Sequence, residues 1–521
     1  MRRLIVLLML VFASAFSLTT AARADDISAS ARGVVRIVTI AVVNDEVVGF
    51  GHGSGFAVAP NRIVTNAHVV ELAARYPDNV VIGVVPSEGN RSFQGRLVAI
   101  DPDRDLALIE FSGARLPPLA VFKGPVSDGE ALVALGYPGN VDLATAQSAR
   151  DFITPLSPVR SQGNFAGMRS LRGTSMLLHT ASIARGNSGG PLLDRCGRVL
   201  GVNVAITNSE GGDANFAFAI SGQELGAFLA EAKQPYGEVA VPCVSVEERM
   251  AQDRNADEQA QAQAAEAERQ AAAKAAAERE DALTQARANN EAQRENYMAG
   301  AAVLLVLGAL CLGAAGMMLS RGQQRAALWL AIGGVVLMIG AAVLFFSRPN
   351  FDATKVVAVT SADTPKGSKL PGTAATGRLV CTLDPQRSRV TTTTTERVEL
   401  TMGPDGCING KTQYAESGSR WQRILVPNEE ATVSVLDYDP ASRTYTNTRY
   451  LLSSEQMDRA RQLRAGVQLK TCSQDQAARG QLATSQQEIK AALPQLYNEK
   501  LVYRCGAATT SDAAAATDAA N

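Results

Sequence analysis

Gly186-Asn187-Ser188-Gly189-Gly190-Pro191-Leu192 presents one hydroxyl on a tight turn flanked by glycines. Small neighbours let a carbonyl group approach Ser188, and the backbone of Gly186, Asn187 and Ser188 can aim N–H groups, those of Gly186 and Ser188 foremost, at an oxygen that gains charge during attack. Such a turn suits acyl transfer. A serine hydroxyl attacks poorly until a base takes its proton, so the turn calls for a histidine, and the chain has only three. His68, in Thr65-Asn66-Ala67-His68-Val69-Val70, follows the apolar stretch 62–64 as a strand end would feed a short helical turn. His52 lies among glycines and His179 inside the apolar segment 175–180, and both read as turn or strand residues. The base in turn needs a carboxylate to fix its tautomer. Asp101, Asp103 and Asp105 stand together, and Asp105 directly precedes the apolar run 106–109, where it can sit part-buried at a core edge, while the other two suit a solvated turn.

Working outward, residues 25–245 alternate short Val/Ile/Leu-rich segments, such as 33–43, 79–86 and 131–135, with Gly, Pro, Asn and Asp. That is an all-β pattern, long enough for a pair of packed barrels. Helical spacing appears only near 223–233, where Leu225, Phe228 and Leu229 share a face.

Taken together, the three segments resemble the HtrA/Deg-type trypsin-like serine proteases of the chymotrypsin fold. The resemblance covers roughly 34–229, in the family's order of His, then Asp, then Ser. Gly53-Ser54-Gly55-Phe56 resembles the family's early strand, Gly136-Tyr137-Pro138 and 157–163 its middle strands, and 197–203 with 215–220 its closing strands. It implies a double β-barrel and a serine endopeptidase that works through an acyl-enzyme, with His68, Asp105 and Ser188 as catalytic triad. Ser182, six residues before the nucleophile, stands where trypsin-like enzymes place the base of the primary specificity pocket, with Asn203 and Val204 as further pocket residues. Lacking an acid there, the resemblance favours cleavage after small or medium apolar residues. Residues 141–172, rich in Gly, Pro and Ser, are expected to form a long mobile segment that gates the site. No PDZ-like domain is apparent after the protease part, so the trimerisation and peptide-triggered activation of relatives are not carried over.

At 521 residues the chain exceeds the roughly 250–300 that one core supports. Residues 1–24 have the basic start, apolar run and Ala22-Arg23-Ala24 site of a secretory signal. After 245 the composition turns to Ala, Glu, Gln and Arg, which predicts a polar helical stalk over 246–296. Residues 297–319 and 327–346 are uncharged and each about long enough to cross a bilayer. The loop 320–326 between them holds Arg321 and Arg325, which places it on the cytoplasmic side and both flanking regions outside. A linker over 347–376 leads to a small α+β domain at 377–506, with strands at 378–383, 397–402, 420–426, 431–438 and 445–452, helices at 454–463 and 485–497, and a disordered tail over 507–521.

Disulfides persist in oxidising compartments, and the seven cysteines suit that placement. Cys311 lies in an apolar span, leaving Cys196 and Cys243 to pair in the first part. Cys381, Cys407, Cys472 and Cys505 can form two bridges in the last part, with three pairings open. A net charge of −1 without basic blocks gives no field for nucleic acid. No cofactor and no metal are implied, since three scattered histidines make no ligand cluster. The expected partners are polypeptide substrates, a lipid bilayer through two transmembrane helices and a protein bound by the C-terminal domain. The reading is a bacterial inner-membrane endopeptidase that processes or degrades exported proteins in the periplasm. The alternative is a noncatalytic or latent peptide-binding module on a protease fold.

Overall fold

The computed structural model describes residues 26–207, 215–321, 323–351, 377–392 and 397–508. The expected signal segment, most of the linker and nearly all of the tail lie outside these residues.

After a short helix, α1 (Asp26–Ala31), six strands close a barrel: β1 (Val34–Val43), β2 (Glu46–Ala59), β3 (Arg62–Thr65), β4 (Val80–Pro86), β5 (Phe93–Asp101) and β6 (Leu106–Phe111), in the order β1-β2-β3-β6-β5-β4, with β1 pairing β4. The two-residue period of a strand sorts its side chains. Val35, Ile37, Ala57, Ile63, Ala107 and Ile109 fill this barrel, and their neighbours Val34, Phe56, Val58, Val64, Leu106 and Leu108 point the other way, into a core shared with Val133, Leu135, Val202 and Ile220. Those last four belong to a second set: β7 (Val121–Phe122), β8 (Ala131–Gly136), β9 (Val159–Leu171), β10 (Thr174–His179), β11 (Pro191–Leu193), β12 (Val199–Ile206), β13 (Ala217–Ser221) and β14 (Glu238–Val239). Because β11 pairs both β8 and β12, strands β8 to β13 close a second six-stranded barrel, with β7 and β14 added at its side. The result is the double barrel of the chymotrypsin fold. Helix α2 (Ala67–Arg75) follows β3, α3 (Gly139–Thr145) follows β8, and α4 (Gly222–Glu231), whose N-terminal Ser221 Oγ accepts from the Glu224 N–H, packs Leu225, Phe228 and Leu229 onto the shared core.

The expectation of one long mobile segment over 141–172 is corrected here. Residues 159–171 are strand β9, hydrogen-bonded on both sides, to β8 and β10. Its glycines fit a strand that must pass close to other backbone: a Cβ on Gly163 would stand 2.0 Å from the Ala181 nitrogen. Within 141–172, residues 141–158 and Arg172 lie outside the strands.

Helix α5 (Val246–Ser320) runs 75 residues without a break, so the polar stalk and the first apolar span are one helix, about 110 Å long at 1.5 Å per residue. No proline or glycine interrupts it before Gly300. After Arg321 comes α6 (Gln324–Phe346), and α5 and α6 are both long and apolar enough to cross a membrane. They meet where glycines let the backbones touch, a Cβ on Gly308 or Gly334 falling 3.0 Å from the other's carbonyl oxygen.

The last domain curls nine strands into one sheet: β15 (Gly377–Leu383), β16 (Arg397–Met402), β17 (Cys407–Ile408), β18 (Thr412–Gln413), β19 (Ala415–Ser417), β20 (Arg420–Leu425), β21 (Thr432–Asp439), β22 (Thr444–Leu451) and β23 (Glu499–Ala507). Helices α7 (Ser454–Ala465) and α8 (Gln476–Ala491) cover it with Met457, Ala460, Leu482 and Ile489 against Ile424, Val433 and Val435. The helix expected at 485–497 instead begins at 476, where Asp475 accepts from the Ala477 N–H at 2.9 Å, and 499–507 form the strand that joins β15 to β22. Disulfides join Cys196 to Cys243, Cys381 to Cys505 across β15 and β23, and Cys407 to Cys472.

This domain and the barrels form one compact unit. Arg389, 1% exposed, donates to Asp26 of α1, to the Val244 carbonyl at 2.9 Å and to the Asn498 carbonyl. Arg249, in the first turn of α5, donates to the Gln386 and Ser388 carbonyls at 2.7 and 3.1 Å.

Candidate active site

His68 enters from the end of β3. Asn66 is extended and buried, its side-chain amide donating to the Asp105 carbonyl at 2.8 Å, and α2 then opens with Ala67 and His68. Asp105 meets this turn with both carboxylate oxygens: Oδ1 accepts from the His68 backbone N–H at 2.9 Å and Oδ2 lies 2.8 Å from His68 Nδ1. A carboxylate only accepts, so the ring proton is assigned to Nδ1, which leaves the lone pair on Nε2. Asp105 reaches this position with a φ of +56°, a left-handed conformation that Asp tolerates better than most residues. Asp101 is engaged elsewhere, accepting from the Arg104 N–H and guanidinium at 3.0 and 2.7 Å.

The Ser188 turn hangs between the barrels. Gly189 donates to the Asn203 carbonyl and Asn203 to the Gly190 carbonyl, each at 2.9 Å, which fixes the turn to β12. Gly186 and Gly189 have φ of +97° and +85°, and a Cβ on Gly189 would lie 2.2 Å from the Ser54 carbonyl oxygen, so only glycine fits. Ser54 is the residue that sequence reasoning passed over. Wholly buried in β2, it donates its N–H to the Ser188 carbonyl at 2.8 Å and its hydroxyl to the Gly186 carbonyl at 2.7 Å, while accepting the Tyr137 N–H at 2.9 Å. The Gly-Ser-Gly run around it was the one available signal.

Among the described residues the N–H groups of Gly186 and Ser188 have no acceptor, whereas that of Asn187 is given to the Ala184 carbonyl at 3.0 Å. Of the three residues expected to form an oxyanion hole, Gly186 and Ser188 thus keep unengaged N–H groups and Asn187 does not. Ser188 Oγ donates to the Val204 carbonyl at 3.4 Å, and no hydrogen bond joins it to His68 among the described residues.

Ser182 is exposed and Val204 half-buried. Asn203 is wholly buried and donates its amide to the Gly190 and Pro191 carbonyls at 3.2 Å each, bracing the turn. His179 is also wholly buried at the end of β10, where burial pushes its imidazole down to about 4, against the opposing effect of the Asn203 side chain. His52, in β2, faces Asp142 and the Tyr137 carbonyl. Among the described residues no three His, Cys, Asp or Glu side chains gather as a metal site would need.

Residues 53–202 match the family model described as a trypsin-like peptidase domain. The serine protease Rv3671c of Mycobacterium tuberculosis is 32% identical over 224 residues, 42% of this chain and 51% of that protein. The periplasmic serine endoprotease DegP of Escherichia coli is 32% identical over 174 residues, 32% of this chain and 33% of DegP. The crystal structure of the active form of the Rv3671c protease aligns with 42% of this chain and 87% of its own, at 24% identity and a TM-score of 0.32. The chain thus spans between a third and a half of the length of these two curated relatives.

Proposed function

We propose that this chain, which carries a trypsin-like peptidase domain homologous to the DegP/HtrA-type serine proteases, is a membrane-anchored serine endopeptidase acting on exported polypeptides. The observation that carries the reading is the Asp105 carboxylate holding His68 by backbone and ring at once, beside a serine turn with two unengaged N–H groups.

Ser188 leaves the Val204 carbonyl and turns to His68. As Oγ bonds to the peptide carbonyl carbon, its proton passes to His68 Nε2, and the C=O electron pair moves onto an oxygen held by the Gly186 and Ser188 N–H groups. Asp105 stabilises the imidazolium so formed. The pair returns, the C–N bond breaks and the leaving amine takes the proton from His68. Water activated by His68 then cleaves the ester and restores Ser188.

The apolar helices α5 and α6 support anchoring, and Arg321 and Arg325 between them support a cytoplasmic turn, the arrangement that goes with barrels and last domain on the outer face. Three disulfides suit that side. Ser182 favours small or medium apolar residues before the cleaved bond.

Membranes bearing wild-type or Ser188→Ala protein, treated with a fluorophosphonate probe and a quenched peptide library, test this. Labelling and cleavage by wild type alone are expected. Equal background for both would overturn it and favour the peptide-binding reading.

A further inference from the structure

Behind the Ser188 turn lies a polar cluster that the chemistry above does not use. Arg36 of β1 and Asp142 of α3 are 2% and 5% exposed and paired at 2.9 Å. The Arg36 guanidinium stacks 4.7 Å from the centre of the Tyr137 ring and donates to the Asp151 and Phe152 carbonyls at 3.2 and 3.1 Å. The other Asp142 oxygen stands 3.4 Å from His52 Nε2, and the same nitrogen is 3.3 Å from the Tyr137 carbonyl oxygen. Both neighbours only accept, which assigns the His52 proton to Nε2. Two charges are removed from water here, an arrangement that contributes little to stability for its own sake.

What the cluster holds is the first turn of α3, and through it one peptide plane. The Gly139 N–H donates to the Arg185 carbonyl at 2.7 Å. A trans peptide points its C=O and N–H in opposite directions. Fixing the Arg185 carbonyl on Gly139 therefore turns the Gly186 N–H away from α3, the orientation an oxyanion donor requires. Rotation of this one plane would remove the donor and put a carbonyl oxygen in its place. Gly186 is also wedged from behind: a Cβ there would lie 2.3 Å from the Tyr137 carbonyl oxygen, 2.8 Å from His52 Nε2 and 2.9 Å from the Gly139 nitrogen.

We propose that His52 and Asp142 are positioning residues which, with Arg36 and through the Gly139-to-Arg185 hydrogen bond, hold the Arg185–Gly186 peptide so that its N–H faces the substrate's oxyanion. The inference rests on the endopeptidase reading. Losing one oxyanion donor costs on the order of 10²–10³ in kcat, and a loosened donor costs part of that.

The test uses the full-length protein with Asp142→Asn and His52→Gln, changes that keep size and polarity, and melting temperature as the folding control. With a peptide amide substrate, kcat should fall by roughly 10–100-fold while KM stays within about threefold, as for a contact made in the transition state. Inhibition by a peptide aldehyde, whose adduct places an oxyanion in the same site, should weaken by about the same factor, while a product peptide binds unchanged. A merely structural defect would move all three together. Folded variants with wild-type kcat, or with KM alone raised, would overturn the proposal. If Asp142→Asn does not fold, His52→Gln decides alone. Wild type that neither labels with a fluorophosphonate nor cleaves would instead sink the endopeptidase reading, and the proposal with it.

Discussion

Arg389→Met is the substitution that best measures how the last domain is held. It removes a guanidinium, 1% exposed, from Asp26, which lies 363 residues away in sequence, and from the Val244 and Asn498 carbonyls. Methionine replaces much of the volume, so the loss is electrostatic more than a cavity. Taking one partner from a buried ion pair costs about 3–5 kcal/mol, because the other charge is left in a poor solvent. At about 2–4 °C per kcal/mol, full-length protein in detergent should melt roughly 6–20 °C below wild type in a calorimetric scan. Asp26→Asn removes the charge from the other side and should be destabilising as well. Since both act on one interaction, the double variant should be clearly less destabilised than the sum of the single effects. A shift below about 2 °C for Arg389→Met, or strict additivity, would refute the claim that this pair joins the domain to the barrels.

Two more outcomes are expected. His179 has a folded value of about 4 against an ordinary 6.5, so the folded state prefers the neutral ring; its stabilising effect is complete above pH 6.5 and is lost as the pH falls through 4, on the order of 3 kcal/mol in all. Urea titrations from pH 7 to 4 should show that loss for wild type and not for His179→Gln, and equal slopes would count against it. Replacing Cys196 and Cys243 by serine opens a 47-residue separation and should lower stability by about 4 kcal/mol, read as a fall in urea midpoint under non-reducing conditions; an unchanged midpoint would show that the bridge does not constrain the unfolded chain.

The residues proposed to carry the chemistry could be picked out of the sequence because each demands the next: a glycine-flanked serine needs a base, and a base needs a carboxylate. The all-β pattern could be read because short apolar runs alternate with turn residues, and the double barrel came with the family resemblance. What escaped is long-range. Arg36 sits inside the apolar run Val34–Val43 and looks like an interruption until Asp142, 106 residues later, is set beside it. Ser54 looks like a spacer between glycines until its hydroxyl is seen to bridge Gly186 and Tyr137. Asn203 is expected at a pocket by position alone, and the bonds of its amide to the Gly190 and Pro191 carbonyls do not show in the sequence. In the last domain, Glu499–Ala507 follows a helix and lacks strict alternation, so its place between β15 and β22 comes from pairing partners more than 50 residues away.

Those long-range contacts also bear on what the last domain can do. A domain that inhibits by covering a catalytic site must lay chain over the nucleophile. Here the gripping contacts fall on Asp26, Arg115, Ala120, Val239, Val244 and Arg249, and among the described residues none of these contacts involves His68, Asp105 or Ser188. Cys196, bridged to Cys243, lies 3.7 Å from the Arg389 guanidinium, so the bridge sits within the same contact region. The chain leaves this unit after Ala251 and forms the long helix and the apolar pair before the strands of the last domain begin at Gly377. The apolar hairpin is thus an excursion from a single folded body, whose two halves are tied at the foot of α5 by Arg249 and Arg389. Among the described residues, an effect of the last domain on cleavage has its route through the support of the barrels or the root of that helix.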